Sequence, residues 1–145
     1  MPSVYAVVGG PNTHKTSSIR ALTGVWRRER NWHIAYVDAG SIDTYVEPRG
    51  LQENNISPQE FIGEVNQSGA TRIVVALRYS EMGEHPDAIE YLNAFVAAGW
   101  DVVRHAVLGQ QDTLQGFGVG IAVPDAADIP SNEVAARLRK TFEIR

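Results

Sequence analysis

The first sixteen residues restrict the fold of this chain more than any other stretch. Val4-Tyr5-Ala6-Val7-Val8 is an unbroken apolar run, the pattern of a strand covered on both faces, and it breaks into Gly9-Gly10-Pro11-Asn12-Thr13-His14 before Lys15 and Thr16. Ile19, Leu22 and Val25/Trp26 then recur at helical spacing, and Arg27, Arg28 and Arg30 come next, where a helix dipole favours positive charge. A strand that passes through a turn-rich loop straight into a helix is the opening unit of a parallel α/β sheet.

The rest of the chain keeps that alternation. Trp32 to Val37 reads as a second strand ending at Asp38. Ser57-Pro58-Gln59-Glu60 is a capping box with Pro at the first helical position, continued by Phe61, Ile62 and Val65 and stopped by Gly69. Arg72 to Leu77 is a short apolar strand; Pro86 opens a helix with Ile89, Leu92, Phe95 and Val96 on one face and Gly99 at its end. Trp100 to Leu108 and Val119 to Val123 read as strands, and Asn132 to Phe142 as a last helix. Right-handed crossovers then predict an α/β fold, a three-layer sandwich around a mostly parallel sheet of about five strands. The Arg104-His105 interruption predicts an edge position or a solvent-facing side for its strand. Two stretches, Ala39 to Ser57 and Leu108 to Gly118, show no apolar periodicity and read as long loops.

Length and composition fit one domain over residues 1–145: 43% hydrophobic and 21% charged residues suffice for one substantial core. Without cysteine, disulfides and thiolate metal sites are excluded. No histidine pair has metal-ligand spacing, and no run approaches a membrane span. Met1-Pro2-Ser3 leads directly into the first strand with no signal-like segment, so the expected compartment is the cytoplasm and no membrane partner is expected. A net charge of −4 argues against nucleic acid as the main partner.

The Gly9 to Thr16 loop carries a definite chemistry. Small residues let successive backbone N–H groups turn inward around a phosphate, and the helix after them adds its own unpaired N–H groups and positive end. Lys15 would reach the terminal phosphates and the Thr16 hydroxyl would face Mg²⁺. Gly9-Gly10-Pro11-Asn12-Thr13-His14-Lys15-Thr16-Ser17, continuing to Gly24, resembles the Gly-x-Pro-Asn-x-Gly-Lys-Ser/Thr opening of P-loop NTPases, over about the first sixth of the chain. His14 stands where that pattern has its second Gly, and His is one of the few other residues that adopt positive φ. No guanine-selecting Asn-Lys-x-Asp element and no intact Asp-x-x-Gly switch occur later. The resemblance implies a P-loop NTPase-like fold, ATP and Mg²⁺ as ligands, and Gly9 to Ser17 as the nucleotide-binding residues. It leaves a partition-type ATPase and a small nucleotide kinase open.

Catalysis in such proteins also needs an acidic residue at a strand end. Ile34-Ala35-Tyr36-Val37-Asp38 has that form, so Lys15 and Asp38 are the candidate catalytic residues, with Thr16 and Asp38 as the candidate metal ligands. The third strand ends instead in Leu77-Arg78. Arg78, Glu47 and Arg49 are the candidates for a second substrate or an acidic group. Two functions remain open on these residues: an ATP-dependent ATPase or phosphotransferase, or a degenerate P-loop module serving as a scaffold for a protein partner or a homodimer.

Overall fold

A computed structural model describes residues 2–145. The elements run β1 (Ser3–Gly9), α1 (Lys15–Thr23), β2 (Glu29–Tyr36), β3 (Gly40–Glu47), α2 (Pro58–Ser68), β4 (Arg72–Arg78), α3 (Ala88–Ala97), β5 (Asp101–Leu108), β6 (Val119–Val123) and α4 (Ser131–Thr141), with a short 3₁₀ turn at Ala126–Asp128. They form one six-stranded sheet in the order β2-β3-β4-β1-β5-β6. All neighbouring pairs are parallel except β2 with β3. Apolar residues alternate across β1: Val4, Ala6 and Val8 pack with Phe61, Val65, Tyr91 and Phe95 of α2 and α3, while Tyr5 and Val7 pack with Ile19, Leu22, Val134 and Leu138 of α1 and α4. Two helices therefore cover each face, which is the three-layer α/β arrangement.

Helix boundaries obey local chemistry. Ser57 Oγ accepts from Glu60 N at 3.2 Å and Glu60 Oε1 accepts from Ser57 N, so α2 starts at its capping box. Ser57→Ala should therefore cost about 1 kcal/mol of stability, read from urea midpoints at unchanged slope. Asp87, one residue past Pro86, is the N-cap of α3, and the buried face of that helix is Ala88, Tyr91, Leu92 and Phe95; Ile89 and Val96 are exposed. α1 ends at Thr23 because Gly24 takes φ 77°, so Trp26 and the basic residues after it lie beyond the helix.

Sequence patterning predicts a loop from Ala39 to Ser57, whereas the structure forms β3 in its first half. The alternation is present, with Ile42, Thr44 and Val46 turned inward between Ser41 and Asp43, but its polar members hide it from a hydrophobicity reading. The sheet consequently has six strands, not about five. Gly40, at φ 67°, closes a tight hairpin that reverses the chain between β2 and β3. That reversal matters for function. β2 ends where the parallel strands begin, so the residues just after β2 lie at the edge opposite the ends of β1, β3, β4, β5 and β6.

β5 is flanked by β1 and β6, so of the two placements its Arg-His pair predicts it is not an edge; Arg104 instead keeps a part-exposed side chain that reaches Glu143. His105 is completely buried; its Nε2 accepts from Leu114 N at 2.9 Å and its Nδ1 sits 2.8 Å from the Phe117 carbonyl oxygen. The imidazole thus pins both ends of the apolar part of the β5–β6 loop. Leu114 and Phe117 are buried with it, which is why a Gln- and Gly-rich loop without periodicity is nonetheless packed.

Candidate functional site

β1 is the central strand, and its C-terminal end opens directly onto the loop 10–14 and α1. Open α/β sheets bind their ligands at this edge. His14 is the N-cap of α1 at φ 65°, ψ 22°, and Asn12 is at φ 62°. His14 therefore occupies the left-handed conformation that a glycine would supply, one of the few non-glycine residues that adopt it. Thr13 Oγ1 donates to the Gly10 carbonyl at 2.7 Å, tying the loop across its own turn. A Cβ on Gly9 would strike Thr13 Oγ1, and one on Gly109 would strike Thr13 Cγ2. Thr13 is thus seated between the ends of β1 and β5, where only glycines leave room. No side chain caps the first turn of α1 and no acidic residue occupies it, so its N–H groups are not taken up by a cap.

That cavity, of about 280 Å³, is lined by Asn12, Thr13, His14, Lys15, Thr16, Ser17 and Glu53. Lys15 is 5% exposed, and its Nζ lies 2.6 Å from Glu53 Oε1. Glu53 comes from the segment after β3. This segment is fastened by Gln52, which is buried and whose Nε2 donates to the Arg78 and Pro86 carbonyls while its Oε1 accepts from Arg78 N at 2.9 Å. Leu51 N donates to the Ala76 carbonyl, and Leu51 and Ile56 are buried. Glu53 and Gln52 escape a sequence reading because strand-end acids are sought immediately after strands. The available signal is the pair of apolar anchors, Leu51 and Ile56, in an otherwise polar segment.

Lys15 and Thr16 line one cavity; Asp38 does not join them. The hairpin carries Asp38 to the opposite edge of the sheet, where Arg72, the first residue of β4, holds it through two hydrogen bonds of 3.1 and 2.9 Å. The Arg72 guanidinium keeps the Asp38 carboxyl below the ordinary carboxylate range. With Ser3, Tyr5, Arg104 and Glu143 this pair lines a separate cavity of about 250 Å³. The assignment of Asp38 as metal ligand or base beside Thr16 is therefore not met by the geometry, and the Thr16–Asp38 set does not fit Mg²⁺. Glu53 is the carboxylate that shares a cavity with Thr16. Among the described residues no group of three His, Asp or Glu side chains is arranged to hold a metal ion.

The three substrate candidates separate as well. Glu47 ends β3 on the correct edge but is fully buried, accepting from Arg28 Nε at 2.9 Å, with Arg28 also paired to Glu64. It is a tie between β3 and α2 and has no free face for a ligand. Arg78 ends β4 in register with Gly9, and its Nη1 approaches Met82 Sδ at 3.6 Å; it does not line the cavity at Asn12 to Ser17. Arg49 is exposed and lines a third cavity with Arg20, Trp26 and Arg27.

Family models, curated proteins and solved structures were each compared with this chain, and none matches. None of its described helices is long and apolar enough to cross a membrane.

Proposed function

We propose that this chain binds a phosphate-bearing ligand, a nucleoside triphosphate first of all, in the loop from Gly9 to Ser17. One observation carries the reading: a buried lysine stands at the first turn of an uncapped helix that comes directly after the central parallel strand, with His14 in the backbone conformation of the missing glycine. The loop offers N–H groups, a positive helix end and an ammonium to one small cavity, which is the donor set a phosphate needs. Turnover is not part of this proposal, because among the described residues the only carboxylate lining the cavity already neutralises Lys15. Where Mg²⁺ accompanies the nucleotide, Thr16 Oγ1 is the group lining the site that could hold it through water.

The Lys15–Glu53 bridge also favours a second reading, a degenerate loop that binds no nucleotide and serves as a scaffold. Calorimetry with ATP and Mg²⁺, and with inorganic pyrophosphate, decides between them, and heat from neither would leave the scaffold. His14→Gly refines the result: it frees the loop and removes a side chain beside the phosphate. Under the binding proposal it should tighten ATP binding by a factor of a few. Equal or weaker binding would mean that His14 is itself part of the ligand site.

A further inference from the structure

The α1–β2 connection shows a feature that the phosphate loop does not need. Trp26 is 68% exposed, although a side chain of this size is normally covered. It is held in place nevertheless: the Arg20 guanidinium lies over one indole face at 4.9 Å, and Arg20 Nε donates to the Trp26 carbonyl at 3.2 Å. Even so held, most of the residue stays open to solvent. Arg27 and Arg49 complete the groove around it, about 590 Å³ against about 280 Å³ for the phosphate-loop cavity. Arg20 and Trp26 also border a smaller cavity that continues along α1 to Ser17.

The charges are equally unbalanced. The chain carries a net −4, and Arg28, Arg72, Arg104 and Arg137 each have a carboxylate partner. Among the described residues Arg20, Arg27 and Arg49 form no such ion pair, as Arg30, Arg78, Arg139 and Arg145 also do not, but these three alone are gathered in one groove around an exposed indole. Three uncompensated guanidiniums gathered around a fixed, one-sided aromatic plate fit a ligand that alternates anionic groups with flat rings. We infer that the Arg20–Trp26–Arg27–Arg49 groove binds single-stranded nucleic acid, with one base stacked on the free face of Trp26 and the adjacent phosphates paired to Arg27 and Arg49. Such sites combine a basic track with an aromatic platform and bind without reading sequence. A duplex, whose bases are already stacked on each other, cannot use the indole. This site does not depend on the phosphate loop being occupied.

The test is fluorescence anisotropy of a labelled oligothymidylate over a salt series, with the full chain and its variants. Arg27→Ala and Arg49→Ala should each weaken binding and reduce the salt slope by about 0.7, the value for one phosphate contact on a single strand. Trp26→Ala should weaken it by about tenfold, and Trp26→Phe should restore most of the loss. The side chains of Trp26, Arg27 and Arg49 are exposed, so thermal melting of these variants should be unaltered and a folding defect is separable. Lys15→Ala should leave oligothymidylate binding as it is, which distinguishes this site from the loop. The inference is overturned by no binding, by Trp26→Ala binding like the parent protein, or by duplex DNA or polyglutamate binding as tightly as oligothymidylate. It is overturned equally if binding disappears in Lys15→Ala but survives in Trp26→Ala.

Discussion

Lys15→Ala is expected to abolish measurable binding of ATP and of pyrophosphate, and Glu53→Gln to strengthen it. Both expectations rest on the 2.6 Å contact between Lys15 and Glu53. A charge-assisted hydrogen bond to phosphate contributes about 1.5–3 kcal/mol, so its loss alone is at least about tenfold in affinity. Glu53 places a negative charge at the same ammonium, and an incoming phosphate has to displace it or tolerate the repulsion. Replacing that carboxylate by the neutral amide removes the competition while keeping shape, and a gain of several-fold is the expected result. The two variants also differ in stability. Glu53→Gln leaves Lys15 as a nearly buried cation without a counter-charge, so its melting temperature should fall without ligand and recover when pyrophosphate is added. If Glu53→Gln binds no better than the parent protein, the bridge does not occupy the phosphate position. If Lys15→Ala keeps full affinity, the proposed site is wrong.

How much of this was legible in the sequence depends on how each piece is built. β1, its loop and α1 are contiguous, so their residues carry the whole signal: an apolar run, small turn residues, then Lys-Thr at a helix start. The capping box of α2 is equally local, and Ser57 and Glu60 pair as their spacing predicts. Asp38 shows where locality fails. It stands at the end of an apolar strand, as an acid facing Thr16 would, but its placement depends on the direction of β2, and that direction is set by β3. The β3 pattern is diluted by Ser41, Asp43 and Thr44, so the hairpin and with it the edge that Asp38 occupies could not be read. Glu53 is the converse case. It reaches Lys15 through a segment held by Gln52 to the end of β4, a contact between residues 26 apart in sequence that no spacing rule anticipates. The arginine groove is likewise a tertiary product, since Arg49 joins Arg20 and Arg27 only once β3 has been laid beside β4.

His105→Ala should be the most damaging single change to the fold away from the apolar core. The imidazole satisfies the Leu114 N–H and the Phe117 carbonyl at once, and its removal leaves two buried polar groups unpaired beside a new cavity. Together these should cost about 3 kcal/mol or more, seen as a lower urea midpoint. His105→Phe separates the two contributions, because it fills the volume without restoring either hydrogen bond; a parent-like midpoint in that variant would show that the bonds do not hold the loop. Gly120→Ala should act in the same direction, since a methyl there would overlap the imidazole ring. The same geometry sets a pH dependence. Nε2 accepts from Leu114 N, so the ring must be neutral with its proton on Nδ1, and burial pushes its pKa below the ordinary 6.5. A histidine whose folded pKa is depressed contributes stability that is complete above the unfolded value and declines as pH falls from about 6.5 toward the lower folded value, because the unfolded chain then binds the proton first. The parent protein should lose stability over that window, and His105→Phe should lose less over the same range. The consequence reaches the loop between β1 and α1, since β5 runs from His105 to Leu108 and Gly109, where Thr13 is seated. Protonating His105 in the folded chain should therefore loosen the support of the loop as well as the β5–β6 connection, and pyrophosphate affinity in the parent protein should fall only as the pH approaches the depressed folded value, below the point where stability first declines. Affinity that takes the same pH course in His105→Phe would assign the dependence to another group.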